Sequence, residues 1–127
     1  MVNNIEKMVI IEKAGDIIQV VLPIFAYIKY EGFIKNFLLA NILCHSLKLT
    51  IKRVRPNGRS TTSFPSGHTV ATFFSYFFIK KNMKSENTFT IFFLPVLTVF
   101  VGFSRIYCKK HYFSDVIAGI LIAFICS

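Results

Sequence analysis

Five stretches of the chain are strongly apolar, and polar or charged residues cluster between them. The apolar residues in each stretch are continuous rather than alternating, which favours helices over strands. Because lipid admits only helices or closed barrels, the pattern predicts an all-α fold, a transmembrane bundle of about five helices. The stretches run from about Gly15 to Tyr30, Phe33 to Ile51, Gly67 to Ile79, Thr88 to Ser104 and Ser114 to Cys126.

The connections between these stretches predict where the polar residues meet. If every stretch crosses the membrane, the loops 52–66 and 105–113 lie on the same face, together with the N-terminus. The third and fifth stretches are shorter than the roughly 20 residues of a full span, so flanking residues must extend them into the interface. We therefore expect an N-terminal interfacial segment, residues 1–14, and a single membrane domain, residues 15–127, with an active site at one membrane face.

Composition supports a membrane protein and argues against a nucleic-acid-binding one. Hydrophobic residues make up 54% of the 127 residues, and the net charge is +9. The basic residues lie between apolar stretches rather than in a solvated patch, so anionic lipid surfaces and anionic substrates explain the charge better than nucleic acid does. The three cysteines have no CxxC spacing, and we predict neither a zinc site nor a disulfide.

The second stretch carries polar residues at helical spacing. Successive separations of 4, 3, 4 and 3 residues place them on one face, which we expect to line the bundle interior or a wet cleft. Pro56 disfavours helical geometry before it, so the helix is predicted to end near Arg55. Cations reaching toward water from a helix end would also explain the pattern. The polar residues are Asn41, His45, Lys48, Lys52 and Arg55.

A Pro65-Ser66-Gly67-His68 sequence opens the third predicted helix. The N-terminus of a helix offers free N–H groups to an anion, and glycine lets the backbone approach a ligand closely. Ser66 can add a hydroxyl donor, and His68 projects from the first turn. Taken alone, the motif is weak, because a turn that carries an incidental histidine is common.

The third polar cluster spans the last connection. Arg105 ends the fourth predicted helix, and His111 and Asp115 flank the start of the fifth. A carboxylate four residues after an imidazole can accept its hydrogen bond in a helical turn, which fixes the tautomer and leaves the other ring nitrogen reactive. An aspartate favoured by the helix dipole, with a surface histidine before it, is the alternative.

Together the three clusters predict phosphoryl transfer. Three cations and helix N–H groups suit a tetrahedral dianion. Of the carboxylates, only Asp115 is expected in the site, so no cluster is predicted for Mg²⁺, and no nucleotide-binding glycine loop is present. The inventory predicts a metal-free reaction without a cofactor, in which one histidine is the nucleophile and a second is the acid–base.

The same residues resemble the three-part signature of the type 2 phosphatidic acid phosphatase superfamily, in particular its small bacterial integral-membrane members. The resemblance implies that His111 attacks phosphorus and forms a phosphohistidine, that Asp115 orients His111, and that His68 protonates the leaving oxygen and then activates water. It further implies a set of residues that hold the phosphate. These are Lys48, Arg55, Ser66, Gly67 and Arg105.

The resemblance also implies a lipid phosphate substrate and a site that faces the periplasm or exterior of a bacterial inner membrane. Lys and Arg are more numerous on the face with the motifs, but catalytic cations are not a topology signal. The chain departs from the family in having five predicted helices rather than six, and Phe113 where many members have proline. An inactive member that binds anionic lipid, or a small membrane subunit, remains the alternative function. The oligomeric state is left open.

Overall fold

The structure, a computed structural model, describes residues 1–85 and 87–127. Within these residues the chain contains five α-helices and no strand, which confirms the predicted all-α fold. A π-helical turn, Phe89–Phe93, leads directly into the fourth helix. The helices are α1 (Asn4–Lys29), α2 (Phe33–Ile51), α3 (Gly67–Asn82), α4 (Leu94–Tyr107) and α5 (Phe113–Cys126).

Helix α1 begins much earlier than the apolar pattern indicated, at Asn4 rather than near Gly15. A reciprocal cap fixes this start: the Asn3 side chain accepts the Glu6 N–H at 2.8 Å, and the Glu6 carboxylate accepts the Asn3 N–H at 2.9 Å. Such a capping box satisfies two backbone donors that would otherwise lack partners. Residues 4–14 therefore continue the first helix, although their sequence is too polar for an apolar segment.

Helix α2 ends earlier than predicted, at Ile51. Lys52 takes a left-handed conformation, and its N–H donates to the Lys48 carbonyl at 3.2 Å. The prediction that Lys52 and Arg55 continue the helical face was wrong, because the helix already ends at Ile51 and not at the residue before Pro56. Arg55 lies instead in a loop that folds back on itself, with its N–H donating to the Ser60 carbonyl at 2.9 Å.

Helix α3 is the centre of the bundle and packs against each of the other four α-helices. Its aromatic side chains hold α2 in place: the ring of Phe33 meets those of Phe74 and Phe78 edge to face, at 5.4 and 5.3 Å. Such pairs add specific geometry to apolar burial. Helices α1 and α2 both pack against α3 and contact each other little. A cleft lined by residues of both helices lies between them.

The outer surface of the bundle is apolar. Exposed side chains such as Ile17, Leu38, Val96 and Phe124 point away from the core on four of the helices, a surface that soluble proteins avoid. By length and composition, the helical stretch Phe89–Tyr107 could cross a membrane, and α5 is apolar but shorter. All three cysteines are free.

Candidate active site

The three polar clusters meet at one end of the bundle, where α2 and α4 end and α3 and α5 begin. A cavity of about 440 Å³ opens at this end and extends between α1 and α2. The structure thus brings together residues that are far apart in sequence, as the loop geometry predicted. Five of the eight predicted site residues line the cavity: Lys48, Arg55, Gly67, His68 and His111. The other three, Ser66, Arg105 and Asp115, are buried behind its wall.

His111 is held as a neutral ring with one free nitrogen. Its Nδ1 atom lies 2.6 Å from the Ser63 carbonyl oxygen. Because a carbonyl only accepts, Nδ1 carries the proton and Nε2 keeps its lone pair. Burial, together with the positive charges of Lys48 and Arg55, lowers the pKa of His111 to about 3. An unprotonated Nε2 at a cavity wall can act as a nucleophile at neutral pH.

The direct hydrogen bond predicted between His111 and Asp115 is not formed. Nδ1 of His111 and Oδ2 of Asp115 are 3.7 Å apart. The carboxylate is occupied by other donors: the Tyr112 N–H at 2.7 Å, Nη1 of Arg53 at 3.0 Å and the Ser63 hydroxyl. The Ser63 carbonyl accepts the hydrogen bond from Nδ1 of His111 that the carboxylate was expected to accept, and Asp115 contacts the Ser63 hydroxyl instead.

Lys48 and Arg55 place positive charge at the cavity. The Lys48 ammonium donates to the carbonyl oxygens of Thr62, at 2.8 Å, and of Pro65. Nη2 of Arg55 donates to the Thr62 hydroxyl at 3.2 Å, whereas its Nε is buried and has no hydrogen-bond partner among the described residues. Burial and the nearby guanidinium of Arg105 lower the pKa of Arg55. Two cationic side chains on one cavity wall make the cavity suited to an anion.

At the start of α3, Ser66 and Gly67 offer backbone rather than side-chain groups to the cavity. The Ser66 hydroxyl turns inward, where it accepts the Thr69 hydroxyl at 2.9 Å and caps the helix. A Cβ atom on Gly67 would meet only Lys48 Cε, at 3.8 Å, so nothing in the protein fills the space over this residue. The N-terminus of a helix attracts anions through its free N–H groups and its dipole.

One carboxylate in the site was missed by the sequence analysis. Oδ1 of Asp16, on α1, lies 2.7 Å from Nε2 of His68 and 3.2 Å from Nη1 of Arg105. Nη2 of Arg105 also donates to the Glu12 carbonyl at 3.0 Å. The expectation that Asp115 is alone in the site was wrong, because it assigned α1 no role. The available signal was an acidic residue inside an apolar stretch, which is usually functional.

Arg53 and Ser63 were missed as well, and no periodic pattern marked them. Both lie in the loop 52–66, where the Ser63 N–H donates to the Arg53 carbonyl at 3.0 Å. The Arg53 guanidinium also stacks 4.1 Å over the Tyr112 ring. These contacts tie the loop to the start of α5. In the described part of the chain, no group of three or more His, Cys, Asp or Glu side chains is placed to hold a metal ion, and independence of metal stays a prediction.

Comparison with known proteins identifies the family. The sequence profile of the PAP2 superfamily matches residues 32–127. The chain belongs to the PAP2 superfamily. This confirms the resemblance on which the residue roles were based. The matched region contains every cavity-lining residue from α2 onward, whereas Asp16 and the rest of α1 lie outside it.

Similar proteins include two curated bacterial phosphatases and one solved structure. The chain is 34% identical to phosphatidylglycerophosphatase B of Bacillus subtilis (strain 168), over 58% of this chain and 42% of that protein. It is 32% identical to lipid A 1-phosphatase of Porphyromonas gingivalis, over 57% and 16% respectively. The match thus spans less than half the length of either relative. The crystal structure of Aquifex aeolicus LpxE superposes with a TM-score of 0.66 at 25% identity, over 94% of this chain and 81% of that one.

Proposed function

We propose that this protein is a lipid phosphatase that hydrolyses a phosphate monoester or pyrophosphate of a lipid through a phosphohistidine on His111, without a metal. The observation that carries the proposal is that His111, with Nδ1 bonded to a carbonyl and Nε2 free, lines the same cavity as the cations Lys48 and Arg55. A nucleophile beside a site suited to an anion is the arrangement that phosphoryl transfer requires. The names of the curated relatives support a lipid phosphate as the substrate.

In the first step, Nε2 of His111 attacks phosphorus and the bond to the leaving oxygen breaks. Lys48, Arg55 and the N–H groups at Gly67 stabilise the charge on the equatorial oxygens. Arg105 and Ser66, the other predicted members of the phosphate-binding set, lie behind the cavity wall, where Arg105 adds positive charge and Ser66 caps α3. The leaving oxygen takes a proton from the His68 imidazolium and departs as an alcohol, or as a phosphate when the substrate is a pyrophosphate.

In the second step, the neutral His68 removes a proton from water. The oxygen of that water attacks the phosphohistidine, and the P–N bond breaks to release inorganic phosphate and restore His111. Asp16 holds the His68 ring in one orientation and stabilises the imidazolium that forms. Asp115 fixes His111 through Ser63.

Phosphate release from lipid phosphates in EDTA tests the proposal. The wild type should release phosphate in EDTA, and His111→Ala should release none. A ³²P-labelled substrate should leave a label on the wild-type protein that is lost in acid and kept in alkali, the behaviour of phosphohistidine. Asn36→Ala, on α2 outside the cavity lining, is the control and should keep the label. An inactive wild type that still binds anionic vesicles would instead support the lipid-binding alternative.

We further propose that the bundle is embedded in a membrane, that residues 1–14 lie at its interface, and that the catalytic end faces the periplasm or exterior. Arg59, in the loop 52–66, is exposed at the catalytic end, and Lys84 is exposed at the other. In intact cells, an impermeant maleimide should label Arg59→Cys and spare Lys84→Cys. The reverse labelling would place the site in the cytoplasm.

A further inference from the structure

The cavity extends well beyond the groups that the proposed reaction uses. From Lys48 it continues between α1 and α2 toward the opposite end of the bundle, past three polar side chains, Gln19, Asn41 and His45. Along α2, His45 and Asn41 lie about 4.5 and 10.5 Å below Lys48, at 1.5 Å per residue. The chemistry proposed above gives these side chains no role.

The three polar side chains have hydrogen-bonding capacity to spare. Nδ2 of Asn41 donates to the Phe37 carbonyl at 2.8 Å, which leaves one N–H and the amide oxygen of Asn41 available. The Gln19 amide and the His45 ring make no hydrogen bond within the described part of the chain. They lie on facing helices, one on α1 and two on α2, and all three line the same cavity.

The unused hydrogen-bonding groups of these three side chains lie where unpaired polar groups are unfavourable. Helices α1 and α2 contact each other little, so the cavity opens sideways between them. In a membrane this opening faces lipid, where polar groups without partners are expensive. The rest of the wall at this depth is apolar, with Val20, Pro23 and Phe37. The cavity is therefore graded from a cationic end through a polar middle to an apolar end.

We infer that Gln19, Asn41 and His45 form a second polar subsite, which binds the oxygen-rich segment that joins phosphate to hydrocarbon in a glycerophospholipid. This inference rests on the proposed function and names the class of lipid. In such a lipid, glycerol and ester oxygens follow the phosphate within a few bonds, and amide or imidazole N–H groups can donate to them. The acyl chains then pass the apolar wall and leave between α1 and α2.

A polyprenyl phosphate fits this gradation poorly. Its hydrocarbon begins directly at the phosphate oxygen and would lie against the three polar side chains, which would lose water without gaining a partner. Sites built to hydrogen-bond a substrate discriminate strongly against analogues that lack the matching group. The subsite therefore selects between two classes of lipid phosphate that the catalytic end alone would treat alike.

The test compares substrates within one enzyme. kcat/KM is measured in mixed micelles for phosphatidic acid, phosphatidylglycerol phosphate, a polyprenyl phosphate and a water-soluble aryl phosphate. The variants are Gln19→Met, Asn41→Leu and His45→Leu, which keep approximate side-chain volume and remove the polar groups. Asn36→Leu, the same change on α2 outside the cavity lining, is the control.

In the wild type, the glycerophospholipids should be preferred over the polyprenyl phosphate. In Asn41→Leu and His45→Leu, the ratio of kcat/KM for glycerophospholipid to that for polyprenyl phosphate should fall about tenfold, the effect of leaving one buried hydrogen-bonding group unmatched. The ratio should not change in Asn36→Leu. If kcat/KM falls for both glycerophospholipids in the subsite variants, the subsite binds ester oxygens. If kcat/KM falls for phosphatidylglycerol phosphate alone, the subsite binds the phosphodiester.

Two results would be negative in different ways. Equal losses on all four substrates, or an unchanged ratio in every subsite variant, would overturn the subsite and leave the phosphatase intact. A wild type that hydrolyses none of the four would overturn the proposed function itself. Turnover of the aryl phosphate shows in each variant whether the catalytic groups remain assembled.

Discussion

The carboxylate of Asp16 lies 2.7 Å from the ring of His68, which connects a helix with no signature residue to the acid–base of the proposed reaction. The same oxygen is 3.2 Å from Nη1 of Arg105. One side chain on α1 thus sets the position of two groups on α3 and α4. In the proposed reaction, α1 therefore contributes a positioning residue to the site.

Replacing Asp16 should affect the proton transfer by His68. In Asp16→Asn, kcat on lipid phosphates should fall by about a hundredfold, within the range for loss of general acid–base catalysis. An aryl phosphate should lose much less, because its leaving oxygen is already stable as an anion. Steady-state kinetics on both substrates measure the difference.

The control for Asp16 is Glu12→Gln, one turn earlier on α1. Its side chain pairs with Lys110 at 3.1 Å and does not touch His68. This variant should behave like the wild type on both substrates. Equal losses on both substrates in Asp16→Asn would mean that Asp16 supports phosphate binding by Arg105 rather than proton transfer.

The pKa of His111 can be measured without turnover. Burial and the cations Lys48 and Arg55 disfavour the imidazolium and lower the pKa to about 3. In ¹⁵N-histidine spectra, the His111 ring should therefore stay neutral with Nδ1 protonated well below about pH 6.5, the ordinary value. In Arg55→Gln one opposing charge is gone, so the pKa should rise.

The direction of the change in the His111 pKa in Arg55→Gln tests the electrostatic explanation. Protonation of His111 removes the nucleophile, so a raised pKa moves the loss of neutral ring to higher pH. The spectrum of His111→Gln assigns the resonance among the three histidines of the chain. A wild-type ring that protonates near the ordinary value, or a lower pKa in Arg55→Gln, would contradict the electrostatic account.

The sequence predicted which residues lie near the cavity because the signals for their positions are local. The Ser66-Gly67-His68 run begins a helix where it was expected, and α2 begins at Phe33 as predicted, although it ends before Arg55. Spacing along a helix determines which residues share a face, so Lys48 was correctly predicted to lie on the face of α2 that lines the cavity. The meeting of distant loops followed from alternating crossings, which requires only that successive helices run in opposite directions.

The errors arose where the outcome depended on tertiary contacts. Asp115 does not bond His111, because Ser63 and Arg53 reach the carboxylate from a loop of irregular structure. Asp16 was overlooked because nothing in the sequence shows that α1 packs beside α4. Its neighbour Gly15 allows α1 to approach α4 closely. A glycine in a sequence does not show which helix it will pack against.

Arg105 should not be replaceable by lysine. Its guanidinium bonds Asp16 and the Glu12 carbonyl with separate nitrogens, and a single ammonium cannot reproduce that fork. Arg105→Lys should lower kcat/KM by about a hundredfold, the usual effect of losing one oriented donor in such a site. Vanadate, which adopts the trigonal-bipyramidal form of the transition state, should inhibit the wild type, and EDTA should not.

For this prediction, Lys110→Arg on the neighbouring loop is the control and should be neutral. Full activity in Arg105→Lys would show that charge alone is needed at this position. Loss of wild-type activity in EDTA, restored by Mg²⁺, would show that the metal-free site is wrong.

Two glycines should separate packing from phosphate binding. A Cβ atom on Gly15 would lie 2.5 Å from Ser104 Oγ and 3.0 Å from Arg105 Nη2, so Gly15→Ala must displace these side chains or push α1 away from α4. Overpacking of this kind typically destabilises by about 1–3 kcal/mol.

On Gly67, a Cβ atom would meet only Lys48 Cε, at 3.8 Å, and would instead occupy space at the cavity. Gly15→Ala should therefore lower the melting temperature together with activity, whereas Gly67→Ala should melt like the wild type and lose activity through a higher KM. Thermal unfolding in detergent and kinetics on a soluble aryl phosphate measure both quantities. A destabilised Gly67→Ala would show that this glycine serves packing, and an unchanged Gly15→Ala would show that α1 is not held against Arg105 as closely as the structure places it.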